Sequence, residues 1–233
     1  MPSPAIENYL KTMYAVERAG EKITTSALAA RLGIQPASVT GMVKRLADMA
    51  LVSYTPYGAA ALTAEGRRAA LAVIRNHRLI ERFLVDTLSV PWDEVHDEAH
   101  KLEHALSDAL VDRIEAFLGH PDTCPHGSPI PTADGEIAAP IQILLADLSL
   151  GQAAVVSEVD DDDAAFLRYL GELGLVTGAE VKPLGMAPFD GPITLRISDQ
   201  ERSVGASVTN RVWVRPAEPA EIELDAIARK ESR

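Results

Sequence analysis

Residues 25–54 read TSALAARLGIQPASVTGMVKRLADMALVSY, and the spacing within this stretch decides the fold of the N-terminal third. Thr25 can cap a short helix over 26–32 that Gly33 terminates, and Gln35 or Pro36 opens a second helix carrying Val39, Met42, Val43 and Leu46. Two short helices on either side of a glycine turn make a helix-turn-helix. Upstream, Ile6, Leu10, Met13 and Val16 recur every three or four residues and mark a first helix over 5–19. Downstream, residues 51–54 and 59–62 are strand-like runs flanking Pro56, Tyr57 and Gly58, the composition of a hairpin turn, and this hairpin is a wing. Residues 1–72 are therefore expected to form a winged helix-turn-helix domain.

The pattern then changes twice. Thr63 caps a long helix with Glu65 and Gly66 in its first turn and an apolar face of Leu71, Ile74, Leu79, Phe83 and Leu84. Residues 92–118 read as one further helix through Val95, Leu102, Leu106, Leu110, Ile114 and Leu118, and the pair offers a surface for dimerisation. Five of the 15 prolines fall in 119–140, an irregular connection, so 73–140 is expected to be a helical domain with a Pro-rich linker. From 142 onward strand-like runs at 153–159, 180–184, 193–197 and 203–214 surround one short helix over 164–173, the pattern of a small, partly closed β-barrel over 141–217. Residues 218–233 are expected to be a loose polar tail. The fold class is multidomain α+β.

Charge divides along the same boundaries. The chain of 233 residues carries a net charge of -12, yet residues 1–82 hold 11 Lys and Arg against six Asp and Glu, a balance of +5 that leaves -17 for the remainder. Nucleic acids respond to local patches rather than totals, so the basic footprint coincides with the helix-turn-helix. No apolar run approaches the roughly 20 residues that a membrane span needs. The first ten residues lack the basic and apolar segments of a secretory signal, and the lone Cys124 cannot form an internal disulfide. These features lead to the expectation of a cytoplasmic protein with no membrane partner.

The strongest chemical signal is His96-Asp97-Glu98-Ala99-His100-Lys101-Leu102-Glu103-His104, where His96, His100 and His104 recur every four residues. Glu103 lies within reach of His100 and His104, giving an imidazole and carboxylate set suited to first-row transition metals. His77 and Glu81 repeat the i, i+4 spacing on the preceding helix. Four of six histidines thus fall on two adjacent helices, each with a carboxylate neighbour, a concentration that points to metal rather than to a solvated helix face. His120, Cys124 and His126 also lie close in sequence, but their Pro-rich setting reads as structural, and no site is assigned to them.

Taken together, Glu7-Asn8-Tyr9-Leu10, the winged helix, His77-xxx-Glu81, the His96–His104 run and the linker His126-Gly127-Ser128-Pro129-Ile130-Pro131 resemble the diphtheria toxin repressor family over nearly the whole chain. The resemblance implies a metal-activated dimeric repressor, not an enzyme, with an SH3-like (FeoA-like) C-terminal domain. It implies an ancillary metal site of His77, Glu81 and His96, with Asp163 as the candidate carboxylate from the SH3-like domain and Phe166 where a second ligand would stand. It implies a primary site of Asn8, His100, Glu103 and His104. Iron-type members place Met and Cys where Asn8 and His100 stand, and short manganese regulators place Asp and Glu. The N/O set here leans towards manganese(II), with iron(II) as the alternative. No organic cofactor is expected.

The expected partners are double-stranded operator DNA and a second copy of the chain. The helix from Gln35 presents Gln35, Ala37, Ser38, Thr40, Gly41, Lys44 and Arg45. Ser38 and Thr40 suit phosphate contacts and Lys44 and Arg45 add charge, while Gln35 suits a base edge and Ala37 a thymine methyl. Three other classes stay open on sequence alone. A metal-dependent hydrolase would need a substrate cleft, a sensor of an organic ligand would bind DNA without metal, and an adaptor would ignore both.

Overall fold

The computed structural model describes residues 3–55 and 58–217, so the turn expected at Pro56 and Tyr57 and the tail expected over 218–233 lie outside the described residues. The chain forms two compact units, one of Met1–Ile80, Ala99–Pro121 and Ile130–Ala138, the other of Glu81–Glu98, Asp122–Pro129 and Ala139–Arg233.

In the first unit, helix α1 spans Pro4–Arg18, α2 Thr25–Leu32 and α3 Pro36–Asp48. Thr24, not Thr25, caps α2: its hydroxyl accepts from the Ala27 amide at 3.1 Å, while Thr25 is already helical. Gly33 ends α2 in the left-handed region at φ 66°, and Pro36 occupies the first turn of α3, where no amide proton is needed. Strands β1 (Val52–Ser53) and β2 (Ala61–Leu62) pair antiparallel with Val52 opposite Leu62, a shorter wing than the apolar runs suggest. Leu10, Met13, Val16, Leu28, Val39 and Leu46 form a dry core with Leu71 and Ile74 of helix α4, which spans Ala64–Leu88. Thr63 caps α4 by accepting from the Gly66 amide at 3.0 Å. Gly66 itself is forced, because a Cβ there would stand 1.9 Å from the Leu51 carbonyl oxygen.

The single helix expected over 92–118 is two helices: α5 covers Val95–Leu102 and α6 Asp108–Phe117. The break has a local cause. Ser107 takes the extended conformation of an N-cap, which starts a new helix at Asp108, and residues 103–105 close α5 as a turn. Val111 of α6 packs with Leu79 and Ile130. The histidine ladder is therefore interrupted: His96 and His100 are helical, and His104 is in the turn.

The second unit holds a six-stranded antiparallel sheet in the order β3-β8-β4-β5-β6-β7. Its strands are β3 (Ile143–Leu144), β4 (Ala154–Val159), β5 (Glu180–Met186), β6 (Ile193–Ile197), β7 (Gln200–Val204) and β8 (Val212–Pro216). The continuous strand expected over 203–214 is instead β7, the short helix α8 (Ala206–Thr209) and β8. Strand β7 is an edge strand while β8 pairs between β3 and β4, so the chain must turn between them. Helix α7, Ala164–Leu173, contributes Leu167 and Leu170 to a core with Val156, Val181, Leu195, Val212 and Val214.

Candidate metal centres and DNA-reading face

In the first unit, one carboxylate organises the candidate centre. The Glu103 side chain is fully buried and each of its oxygens has two nitrogen neighbours. Oε1 accepts from His100 Nδ1 at 2.6 Å and lies 3.3 Å from His104 Nε2. Oε2 accepts from His77 Nδ1 at 2.7 Å and from Lys11 Nζ at 3.0 Å. Burial alone would raise the Glu103 carboxyl. The His77 hydrogen bond and the Lys11 charge outweigh burial and bring its pKa to about 2.

Helix α1 supplies the other side of this centre. Asn8 Oδ1 stands 2.9 Å from His104 Nε2, and Glu7 Oε2 accepts from His104 Nδ1 at 2.5 Å. With Nδ1 donating to Glu7, the Nε2 face of His104 meets two oxygen acceptors, Asn8 Oδ1 and Glu103 Oε1. A ring proton on Nε2 or a divalent cation would satisfy these oxygens, and imidazole, amide and carboxylate together are donors that a first-row divalent metal takes. His100 is half exposed, which leaves an open edge for exchange. The four residues expected from sequence, Asn8, His100, Glu103 and His104, are thus brought together, and Glu7 and Lys11 join them.

In the second unit, Glu81, Cys124, His126 and Asp161 offer ligand atoms that all lie within 4.8 Å of one another. Glu81, Cys124 and His126 are buried. His126 Nε2 donates to the Trp92 carbonyl at 2.7 Å, which turns Nδ1 inward, 3.6 Å from both Glu81 Oε1 and Asp161 Oδ2. Nδ1 has no hydrogen-bond partner among the described residues. Ligand atoms about 2.1 Å from a shared ion stand about 3.4 Å apart in a tetrahedral site, close to this spacing. Burial pushes the Cys124 thiol up to about 11, with the charge of Glu81 adding to the effect. Burial alone would lower the His126 imidazole, but Cys124 and Glu81 outweigh it and raise it to about 11. Two acids and a thiol around an inward imidazole make a pocket that holds either protons or a metal cation.

The loop carrying Cys124 and His126 is fixed from behind. Gly127 adopts φ 89°, and a Cβ on it would stand 1.9 Å from the Ser157 carbonyl oxygen. The Val159 amide donates to the His126 carbonyl at 2.9 Å, and the Ser128 hydroxyl donates to buried Glu158 at 2.8 Å. The Gly-Ser after His126 is therefore what lets the loop lie flat on β4.

Of the residues expected for an ancillary site, Asp163 and Phe166 are engaged elsewhere. Glu81 and His96 face each other at 3.3 Å in the second unit, and His77 sits one turn before Glu81 on α4 with Nδ1 engaged by Glu103. Asp163 is the N-cap of α7, accepting from the Ala165 and Phe166 amides at 2.9 and 3.2 Å, and Asp161 is the carboxylate that reaches the cluster. Phe166 lies beneath the Arg211 guanidinium, 3.7 Å from its ring centre, and offers no ligand. Sequence reasoning set Cys124 and His126 aside as structural and chose Asp163 over Asp161. The usable signal was a lone cysteine two residues from a histidine beside a forced glycine. His120 is exposed and faces Glu115 at 3.7 Å, apart from both clusters.

On the DNA-reading side, Gln35, Ala37, Ser38, Gly41, Lys44 and Arg45 are exposed along one side of α3 and Thr40 is half-buried, its hydroxyl donating to the Pro36 carbonyl at 3.2 Å. A side chain at Gly41 would meet nothing, so the surface there is flat. Lys22, Thr24, Thr25, Thr40, Lys44 and Tyr54 line a cleft of about 750 Å³ beside the wing residues Gly58 and Ala59. Among the described residues no helix is long and apolar enough to cross a membrane.

A winged helix, a helical domain with clustered nitrogen and oxygen donors, and a C-terminal six-stranded sheet are the parts of a metal-dependent transcriptional repressor. Residues 1–60 match the model of the iron dependent repressor N-terminal DNA binding domain, 63–132 that of the iron dependent repressor metal binding and dimerisation domain, and 143–216 that of the FeoA domain. The iron-dependent repressor IdeR of Mycobacterium leprae (strain TN) is 34% identical over 187 residues, 75% of this chain and 81% of that protein. Among solved structures, a manganese-dependent transcriptional repressor in complex with manganese is 38% identical with a TM-score of 0.85, covering 91% of this chain and 100% of that one. The manganese regulator SloR is 30% identical with a TM-score of 0.76, over 91% of this chain and 98% of that one. The chain belongs to the diphtheria toxin repressor family of metal-dependent transcriptional repressors, with an SH3-like FeoA domain at its C-terminal end.

Proposed function

We propose that this protein is a cytoplasmic homodimeric repressor that acts by binding operator DNA rather than by catalysis, and that manganese(II) activates it through Asn8, His100, Glu103 and His104. One observation carries the reading: Asn8 on α1, inside the DNA-reading domain, shares a cluster with residues 100–104 of the helical domain. A divalent ion held there would satisfy both oxygens that face His104 Nε2. Asn8 would then hold α1 against the turn that follows α5, and Glu7 would fix the orientation of the His104 ring through Nδ1. Two copies so braced would set α3 and its partner in successive major grooves about one helical turn apart, which favours the DNA-binding state by population shift. Leu110 and Phe117 of α6 are exposed apolar side chains suited to the contact between copies.

Glu81, Cys124, His126 and Asp161 form the second site of this reading, with His96 beside Glu81 and His77 one turn along α4. Its thiol suits later or softer metals, whereas the primary set contains no sulfur and suits manganese. The names of the relatives support both metals, since some are iron-dependent and others manganese-dependent. Iron(II) is therefore the second reading, and the sulfur at Cys124 is the observation that favours it. DNA retardation on a candidate operator tests the proposal. Manganese(II) should produce retardation that metal-free protein and His104→Ala both lack, and anaerobic iron(II) in the same assay separates the two metals. Retardation indifferent to metal would overturn metal activation.

A further inference from the structure

The two oxygens of Glu103 face different company. Oε1 points at His100 and His104, the nitrogens of the primary centre, while Oε2 is held by the Lys11 ammonium at 3.0 Å and by His77 Nδ1 at 2.7 Å. Lys11 reaches in from α1, with its side chain three-quarters buried, to a carboxylate with no solvent exposure. Such a charge pair, out of water and hydrogen-bonded, is not an adaptable surface contact. Glu7 and Glu103 carry two negative charges at this centre and Lys11 carries one positive charge, so its fixed charge is -1 rather than -2. One dication leaves such a centre with a modest positive charge, and a second would have to enter against both the first ion and the ammonium.

We infer that Lys11 is a tethered cation that occupies the Oε2 side of Glu103, so that the primary centre takes one divalent ion and no more. The inference rests on the proposed primary site and adds a residue that sets ion number there. Lys11 touches no metal in this scheme and acts through Glu103. Removing its charge while keeping its bulk leaves Oε2 beside His77, a carboxylate oxygen and an imidazole within one coordination sphere of each other, with the fixed charge restored to -2.

Equilibrium dialysis of the full chain against manganese(II), with electron paramagnetic resonance of the loaded protein, tests this. Lys11→Met should bind one more ion per chain than the unaltered protein and show the spin coupling of two ions bridged by one carboxylate. Lys11→Arg, which keeps the charge, should bind the same number as the unaltered protein. Should Lys11→Met fail to fold, Lys11→Gln carries the same expectation. An unchanged ion count in the charge-removed variant overturns the inference while leaving the primary site standing. Failure of the unaltered protein to bind an ion that His104→Ala loses would overturn the primary site itself.

Discussion

Cys124 and His126 show how surroundings set protonation: burial holds the thiol protonated, and at His126 the neighbouring Cys124 and Glu81 do so against burial. Both are held protonated in the metal-free protein, the thiol and the imidazole each at about 11, and both must lose a proton to act as ligands. The sign follows directly: raising the pH removes the competing protons, so metal affinity at this cluster should rise with pH between 6 and 8, by up to about a hundredfold per pH unit if two protons leave. Calorimetric titrations in buffers of different ionisation enthalpy would count those protons. Cys124→Ser should weaken the cluster at least tenfold and release one proton fewer, and equal proton release in the two proteins would show that the thiol is not a ligand. At this scale much of the primary centre was legible, because His100, Glu103 and His104 are near neighbours in sequence. Glu81, the Cys124–His126 loop and Asp161 come from three separate places, and only folding brings them together. Asp160 to Asp163 offered four carboxylates to choose among, and helix capping, a backbone requirement, took Asp163.

Elements were readable where one period dominates. Helices α1, α3 and α7 and strand β6 follow their apolar spacing closely. The reading failed where an apolar period runs across a break: residues 92–118 keep helical spacing through Leu102, Leu106, Leu110 and Ile114, although residues 103–105 form a turn and Ser107 is extended. That turn takes His104 off the α5 stripe and places it against Asn8. The strand run over 203–214 misled for the same reason, with α8 interrupting alternation that continues on either side. Gly66 makes the complementary case, where a small residue in a first helical turn marks close backbone approach. Gly66→Ala would drive a methyl into the Leu51 carbonyl and should cost about 3 kcal/mol or more, read by urea unfolding as a lowered midpoint at unchanged slope. A loss below about 0.5 kcal/mol, the size of an ordinary surface substitution, would mean that α4 and the backbone at Leu51 are not packed this closely.

Over the whole molecule, function comes from the separation of charge and chemistry along the chain. On the proposed reading the basic helix-turn-helix reads DNA, the acidic remainder would limit indiscriminate binding, and the candidate metal ligands lie where α1 meets the helical domain within the first unit. The architecture was legible from composition and period, whereas the grouping of Asn8 with His100, Glu103 and His104 came only from the family resemblance, since Asn8 and His104 are 96 residues apart and no spacing links them. Coupling of this kind is reciprocal: if metal favours the DNA-binding state, operator DNA must tighten metal binding by the same factor. The decisive measurement is the manganese(II) affinity of the full chain with and without saturating operator DNA. The account predicts tighter manganese binding in the presence of DNA, on the order of fivefold to a hundredfold, and loss of this difference in His104→Ala. Equal affinities with and without DNA in the unaltered protein would contradict it.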